Sequence, residues 1–159
     1  MVLGALWTCE EQVRRERKHI QTLHNLADAL EAMERALRRS APPMEELLRV
    51  AISSSRGEVR QILCQISLNT LESEPLSVQW TNMTSENTLH LSPDEIRLFE
   101  RPGIVLGCCG TDEQCACLGH SARELRRCAH AREVALSGQR RLWYTLSLSA
   151  ALLAVVMLI

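Results

Sequence analysis

Apolar residues recur at spacings of three and four along the first quarter of the chain, which predicts an amphipathic helix over residues 10–39. Charged residues such as Glu31, Glu34 and Arg35 occupy the positions between them. The apolar seam consists of Ile20, Leu23, Leu26, Leu30, Met33 and Leu37. Such a narrow seam favours packing against later helices of the same chain, with a coiled coil to a second chain as the alternative.

Breaks rich in proline and serine divide the middle of the chain into three further helices. Residues 40–43 end the first helix and start the second at Pro43, and residues 53–57 end the second. Pro75 is expected to close the third helix, and a short helix around Trp80 precedes a polar loop over residues 84–88. The apolar stripes of these helices are Met44, Leu47, Leu48, Ala51 and Ile52, then Val59, Ile62, Leu63, Ile66 and Leu71, then Val78, Trp80 and Met83.

The start of a fifth helix is marked by Ser92, Pro93 and Glu95. Serine suits the N-cap, proline suits the first helical position, and a glutamate three residues after the cap completes a capping box. Pro102 and Gly103 should kink this helix or end it early, because proline lacks a backbone donor and crowds the preceding turn.

A final long helix is predicted from Asp112 onward, with Thr111 as its cap and Gln114 three residues later. Its apolar face carries Leu118, Leu125, Ala129, Val134 and Leu136. Its basic face carries Arg123, Arg126, Arg127, Arg132 and Arg140. This basic face is interpreted as a solvated surface, and contact with anionic lipid is the alternative.

Residues 142–159 are uncharged and almost wholly apolar. As a helix they reach about 27 Å, close to the hydrocarbon thickness of a bilayer. Trp143 and Tyr144 suit the headgroup level, and Arg140 and Arg141 lie just outside the apolar run, which marks the near side as cytoplasmic. The sequence therefore predicts a C-terminal transmembrane anchor.

Three segments follow from these patterns. Residues 1–9 are apolar but too short to span, so they either dip into the interface or form the remnant of a longer N-terminal membrane span. Residues 10–141 are expected to fold as one cytoplasmic helical bundle domain. With the anchor at 142–159, the predicted fold class is all-α, a bundle of about six helices with a C-terminal transmembrane helix.

The composition and the absence of known motifs argue against nucleic-acid binding and against several classes of enzyme. A formal net charge of −1, with basic and acidic residues interspersed, gives none of the basic field that nucleic-acid binding needs. Five aromatic residues are too few for a base-stacking platform. No glycine-rich phosphate loop, G-x-S-x-G or H-E-x-x-H motif is present, and the carboxylate pairs at Glu45 and Asp94 suit helix dipoles better than acid–base chemistry.

The remaining histidines offer no catalytic constellation either. His19, His24 and His90 have no evident acidic or nucleophilic partner, and His19 and His24 fall on a surface-like part of the first helix, where a solvated histidine is expected. The protein is therefore interpreted as a non-enzyme with no cofactor and no small-molecule substrate.

Seven cysteines suggest free thiols in a reducing compartment. Cys108, Cys115, Cys117 and His120 are weak candidates for a zinc site, since zinc takes four cysteine or histidine ligands. Their spacing lacks the two paired knuckles of structural zinc sites, so a metal or redox module is the lesser alternative and no metal is predicted.

The order of these parts resembles the stage III sporulation protein AB family, from about residue 12 to the end. The matching positions are Leu23, Ala29, Leu30 and Glu34, the Glu-Glu-Leu-Leu run at 45–48, Trp80, Leu106 and Gly107, and the Thr-Asp-Glu-Gln run that contains Asp112 and Gln114. Trp80, Gly107, Asp112 and Gln114 are the family-motif positions to which a structural role is assigned. Family members usually begin with a full membrane span, keep continuous the helix that here contains Pro102, and have a glycine-rich last span.

The resemblance implies a membrane component of a secretion-like channel between mother cell and forespore, facing the mother-cell cytoplasm. It also implies likeness to the cytoplasmic domain of type II secretion platform proteins. The expected partners are a sporulation ATPase, other subunits of the same membrane complex and the lipid bilayer. The alternative is a tail-anchored helical adaptor unrelated to sporulation.

Overall fold

A computed structural model describes the backbone of residues 2–69, 75–85, 89–106 and 108–158, and the side chains of residues 11–68, 75–85, 89–106 and 108–138. Within these ranges the chain forms six α-helices and no strand. They are α1 (Val2–Ser40), α2 (Met44–Ser54), α3 (Gly57–Asn69), α4 (Leu76–Ser85), α5 (Pro93–Val105) and α6 (Thr111–Leu158). The predicted all-α class is confirmed.

The two long helices, α1 and α6, lie side by side and run antiparallel. His24 of α1 bonds to Glu133 of α6, and Glu31 bonds to Arg126, so seven residues forward along α1 correspond to seven residues backward along α6. Helix α2 packs on α1, and α3 packs on α2. Helix α4 packs on α5, and α5 packs on α6. Together these contacts place one core between the long helices and the short ones.

The core contains the seam that the periodicity predicts for the first helix. All six of its apolar residues are buried, as are Leu118, Leu125 and Ala129 on the facing side of α6. The largest fully buried side chains are Trp80, Phe99, Leu23, Leu26, Leu30, Met33, Leu47, Leu48, Leu63, Ile66, Leu118 and Leu125. Val134 is an exception, because it is 57% exposed although the pattern assigned it to the apolar face.

Several helix boundaries differ from their predictions. The backbone of α1 already begins at Val2, so this helix includes residues 2–9, which lie before the predicted start at residue 10. Only Ser55 and Arg56 separate α2 from α3, and Gly57 opens α3 with a left-handed φ of 58°. Thr84 belongs to α4, not to the loop predicted over 84–88.

Of the two outcomes predicted at Pro102 and Gly103, a kink or an early end of α5, the early end is wrong. The helix continues past Pro102 to Val105, and the Leu106 N–H donates to the Pro102 carbonyl at 2.9 Å. Proline has no N–H to donate to the Leu98 carbonyl four residues earlier, so α5 continues with one backbone bond fewer.

No helix in the described part of the chain has a stretch long and apolar enough to cross a membrane. The predicted anchor at 142–159 lies outside the residues whose side chains are described, although the α6 backbone extends to Leu158. The predicted interface residues Arg140, Arg141, Trp143 and Tyr144 also lie outside those residues.

Candidate functional site

A buried carboxylate at the start of α5 is the most unusual polar feature of the bundle. Glu95 is the third residue of the helix, and its side chain is 3% exposed. The Ser92 N–H donates to its Oε2 at 2.8 Å, within the capping box that the sequence predicts. The cap explains why a carboxylate occurs here, and the tertiary contacts explain why it can be buried.

Both long helices contribute a side chain to this carboxylate. His19 of α1 lies 2.9 Å from Oε2 through its Nε2. Arg132 of α6 donates to Oε1 from Nε at 3.1 Å, its Nη2 lies 3.0 Å from the same oxygen, and its Nη1 donates to Glu16 of α1 at 3.4 Å. We call Glu16, His19, Glu95 and Arg132 the junction, because they join α1, α5 and α6.

Hydrogen bonding keeps the buried carboxylate ionised. Burial alone would raise the pKa of Glu95, but the hydrogen bonds from Ser92 and the neighbouring His19 outweigh it, so the pKa lies below its ordinary value. A buried charge held this way is strongly destabilising when one partner is removed. The junction therefore fixes the position of α5 against the two long helices.

The junction has the geometry of a structural contact. A small apolar cavity between α3, α4 and α5 is lined by Ile62, Met83, Thr84, Leu89, Leu91, Ile96 and Phe99, and Glu95 is not part of its lining. Arg132 and His19 already occupy both oxygens of the carboxylate. What this arrangement can do is hold helices and transmit a displacement between them.

The expectation that His19 is a solvated surface residue without an acidic partner is wrong. His19 lies four residues before Leu23 and seven before Leu26, which is the spacing of the buried seam. That spacing is the signal that could have placed it on the core side. The expectation for His24 holds in part, since its ring is 38% exposed, but it does have a partner in Glu133 at 3.1 Å.

Trp80 occupies the contact between α4 and α5. It is fully buried, its ring centroid lies 5.0 Å from that of Phe99, and its Nε1 donates to the Phe99 carbonyl at 2.8 Å. A Cβ added to Gly103 would lie 2.2 Å from Cγ of Trp80. The glycine that the sequence marks as a helix breaker is thus the residue that admits the indole.

The other family-motif positions lie around the start of α6. Gln114 donates from Nε2 to the Cys109 carbonyl at 2.8 Å, which closes the turn before the helix. Asp112 is exposed in the first turn, where its charge complements the helix dipole. Thr111 is the first residue of the helix rather than its cap. Gly107 lies outside the described residues.

The structure does not assemble the weak zinc candidates. No cluster of three or more cysteine, histidine or acidic side chains that could hold a metal ion occurs in the part of the chain searched, which includes all four candidates. Cys115 is buried in the core, whereas Cys108 and His120 are exposed. Burial raises the pKa of the Cys115 and Cys117 thiols, which disfavours their reactive thiolate form.

The basic face of α6 is largely committed to contacts within the protein. Arg126 donates to Asp28 at 2.8 Å and to Glu31 at 2.7 Å, and Arg132 belongs to the junction. Arg127 pairs with Glu124 on its own helix at 3.1 Å. Arg126 and Arg127 are exposed, as the interpretation of this face as a solvated surface expects, whereas Arg132 is partly buried against α1 and α5.

No curated protein and no solved structure gives a significant match to the chain. A family model does match it, and the match covers residues 1–159, the whole chain. The alternative of an adaptor unrelated to sporulation is thereby set aside. The resemblance carried by Trp80, Asp112 and Gln114 is confirmed: the chain belongs to the stage III sporulation protein AB family.

Proposed function

We propose that this protein is a non-enzymatic membrane component of a secretion-like channel between mother cell and forespore, whose helical bundle is a cytoplasmic platform for an ATPase. Membership of a stage III sporulation family supports the process. The membrane part is supported by the register of α1 and α6, because continuing it toward the ends of the chain brings residues 2–9 level with the apolar run at 142–159.

The register can be continued from the pair of His24 and Glu133. Seven residues back along α1 is Arg17, and seven residues forward along α6 is position 140, so these two positions lie at the same height. Residues 2–9 of α1 then fall level with part of the apolar run 142–159. Apolar segments that share one end of a helix pair suit insertion into one bilayer. The basic step at Arg140 and Arg141 leaves the bundle on the cytoplasmic side.

The junction gives this arrangement a way to transmit force. Helices α4 and α5 form one unit through Trp80, and Glu95 joins that unit to both long helices. A partner that displaces α4 and α5 would thus move α1 and α6, which lead to the proposed membrane segment. An ATPase that binds the bundle is the partner proposed for this role.

The membrane part is tested with Leu152→Arg, which puts a charge near the middle of the proposed span. The matched control is Leu68→Arg, because Leu68 is 67% exposed on α3. Fractionation of the native host should show the first variant leaving the membrane and the second remaining. Equal retention of both variants would contradict the anchor.

The cellular role is tested by deleting the gene in its host and counting heat-resistant spores after complementation with the same chains. We expect wild type and Leu68→Arg to restore spores and Leu152→Arg to fail. Co-purification of the sporulation ATPase with the intact chain from detergent-solubilised membranes tests the partner. Untouched sporulation in the deletion strain would overturn the proposal.

A further inference from the structure

We infer that Arg14 and Arg17, on the membrane-proximal part of α1, bind the phosphate-bearing headgroups of anionic phospholipids. This inference rests on the proposed membrane anchor. It assigns lipid contact to α1, although the sequence pattern directs attention to the arginines of α6.

The two arginines differ from their basic neighbours in having no acidic partner in the described side chains. Both are exposed. Lys18 is paired with Glu58 at 2.6 Å, and Arg15 is paired with Glu11 at 3.6 Å. Arg14 and Arg17 therefore present to solvent guanidinium groups that no described acidic side chain binds.

Arg14 and Arg17 lie on α1 at the same height as the position on α6 where its apolar run begins. The register that matches Arg17 with position 140 matches Arg14 with position 143, next to the apolar run that begins at 142. A helix at this height in a bilayer passes through the headgroup region. The two arginines thus lie where lipid phosphates would be.

The acidic side chains that the structure describes near Arg14 and Arg17 are bound to other basic residues. Glu16 is bound to Arg132 in the junction, Glu133 to His24, and Glu11 to Arg15. By contrast, Arg126 and Arg132 of α6 are occupied by acidic partners of their own. Among the side chains that the structure describes at this end, Arg14 and Arg17 are therefore the exposed arginines without an acidic partner.

Chemistry favours a phosphate-bearing ligand at these positions. A guanidinium group binds phosphate through two parallel hydrogen bonds, and the surface of an anionic membrane supplies phosphates at high density. Each arginine near such a surface strengthens binding about fivefold, and the contribution fades within about 10 Å at ordinary ionic strength. A two-arginine site would then retain anionic lipid selectively over neutral lipid.

The test compares three full-length chains reconstituted into vesicles of equal parts phosphatidylcholine and phosphatidylglycerol. These are wild type, Arg14→Gln with Arg17→Gln, and Arg39→Gln with Arg101→Gln. The last pair is the matched control, because Arg39 and Arg101 are exposed at the opposite end and have no ion pair within the ranges described. After extraction in mild detergent, mass spectrometry gives the ratio of the two lipids that remain bound.

We expect wild type and the control to retain phosphatidylglycerol in preference, and the Arg14 and Arg17 variant to lose several-fold of that preference. Addition of 1 M salt during extraction should lower the wild-type ratio to that of the variant. An unchanged ratio in the variant, or an equal loss in the control, would overturn the inference while leaving the anchor intact. Failure of wild type to insert into vesicles of phosphatidylcholine alone would instead overturn the anchor, and this inference with it.

Discussion

At its amino end α5 is held by a buried carboxylate, whereas at its carboxyl end it is held by an indole packed over a glycine. Glu95 depends on charged and polar partners from two other helices. The contact at Gly103 depends only on the absence of a side chain, which leaves room for Trp80. One end should therefore respond to pH and to loss of charge, and the other only to changes of volume.

The largest effect is expected at the glycine. In Gly103→Ala the new Cβ would lie 2.2 Å from Cγ and 2.7 Å from Cβ of Trp80, and a buried indole has little room to move. We expect the free energy of unfolding to fall by about 3 kcal/mol, as for overpacked cores. Denaturant unfolding of the full chain in detergent micelles measures it.

The matched control for that change is Gly138→Ala. A Cβ at Gly138 meets nothing within 4 Å, so alanine should raise stability by up to about 1 kcal/mol through helix propensity. If both alanine variants change stability equally, the indole is not confined by Gly103 and the contrast between the two ends of α5 is lost.

The next largest effect is expected at the carboxylate. Glu95→Gln keeps the size of the side chain but leaves Arg132 with Glu16, 3.4 Å from its Nη1, as its remaining counter-charge. Breaking a fully buried pair costs about 3 to 5 kcal/mol, and because the Arg132 side chain is 33% exposed we expect about 2 kcal/mol here. The control is Asp94→Asn in the same helical turn, because Asp94 is 87% exposed and should contribute little.

The stability that Glu95 gives to the amino end of α5 should depend on pH. The folded-state pKa of Glu95 lies below the ordinary value of 4.5, so the unfolded chain takes up the proton first as the pH falls. The stability from Glu95 is complete above pH 4.5 and is lost as the pH falls through the folded-state value. Thermal unfolding below pH 4.5 should show a steeper loss in wild type and Asp94→Asn than in Glu95→Gln, and parallel curves would contradict the role of this carboxylate.

A smaller effect is expected at the histidine of the junction. His19→Gln removes the bond to Glu95 and should lower the free energy of unfolding by about 1 kcal/mol, the usual contribution of one hydrogen bond. His24→Gln, whose partner Glu133 is 48% exposed, should change it by less than about 0.5 kcal/mol. Equal effects of the two substitutions would mean that the bond between His19 and Glu95 contributes no more to stability than an exposed pair.

The same contrast explains what the sequence predicts and what it does not. Ser92, Pro93 and Glu95 are adjacent in the chain, so a local rule identifies the helix start correctly. The partners of Glu95 are separated from it by 76 residues in one case and 37 in the other, and no local pattern specifies which surfaces meet. The sequence marks Pro102 and Gly103 as helix breakers for the same reason, because the indole that requires Gly103 belongs to another helix.

The smallest effect is expected where a glycine faces a flexible side chain. A Cβ at Gly119 would lie 2.7 Å from Oε2 of Glu34, but this carboxylate ends a long side chain that can swing away with Arg38, its partner at 2.8 Å. The cost of that movement should nearly cancel the helix-propensity gain of alanine, so Gly119→Ala should change the free energy of unfolding by less than about 0.5 kcal/mol. A loss as large as that of Gly103→Ala would mean that Glu34 is fixed, and that the contact between α1 and α6 is as rigid as that between α4 and α5.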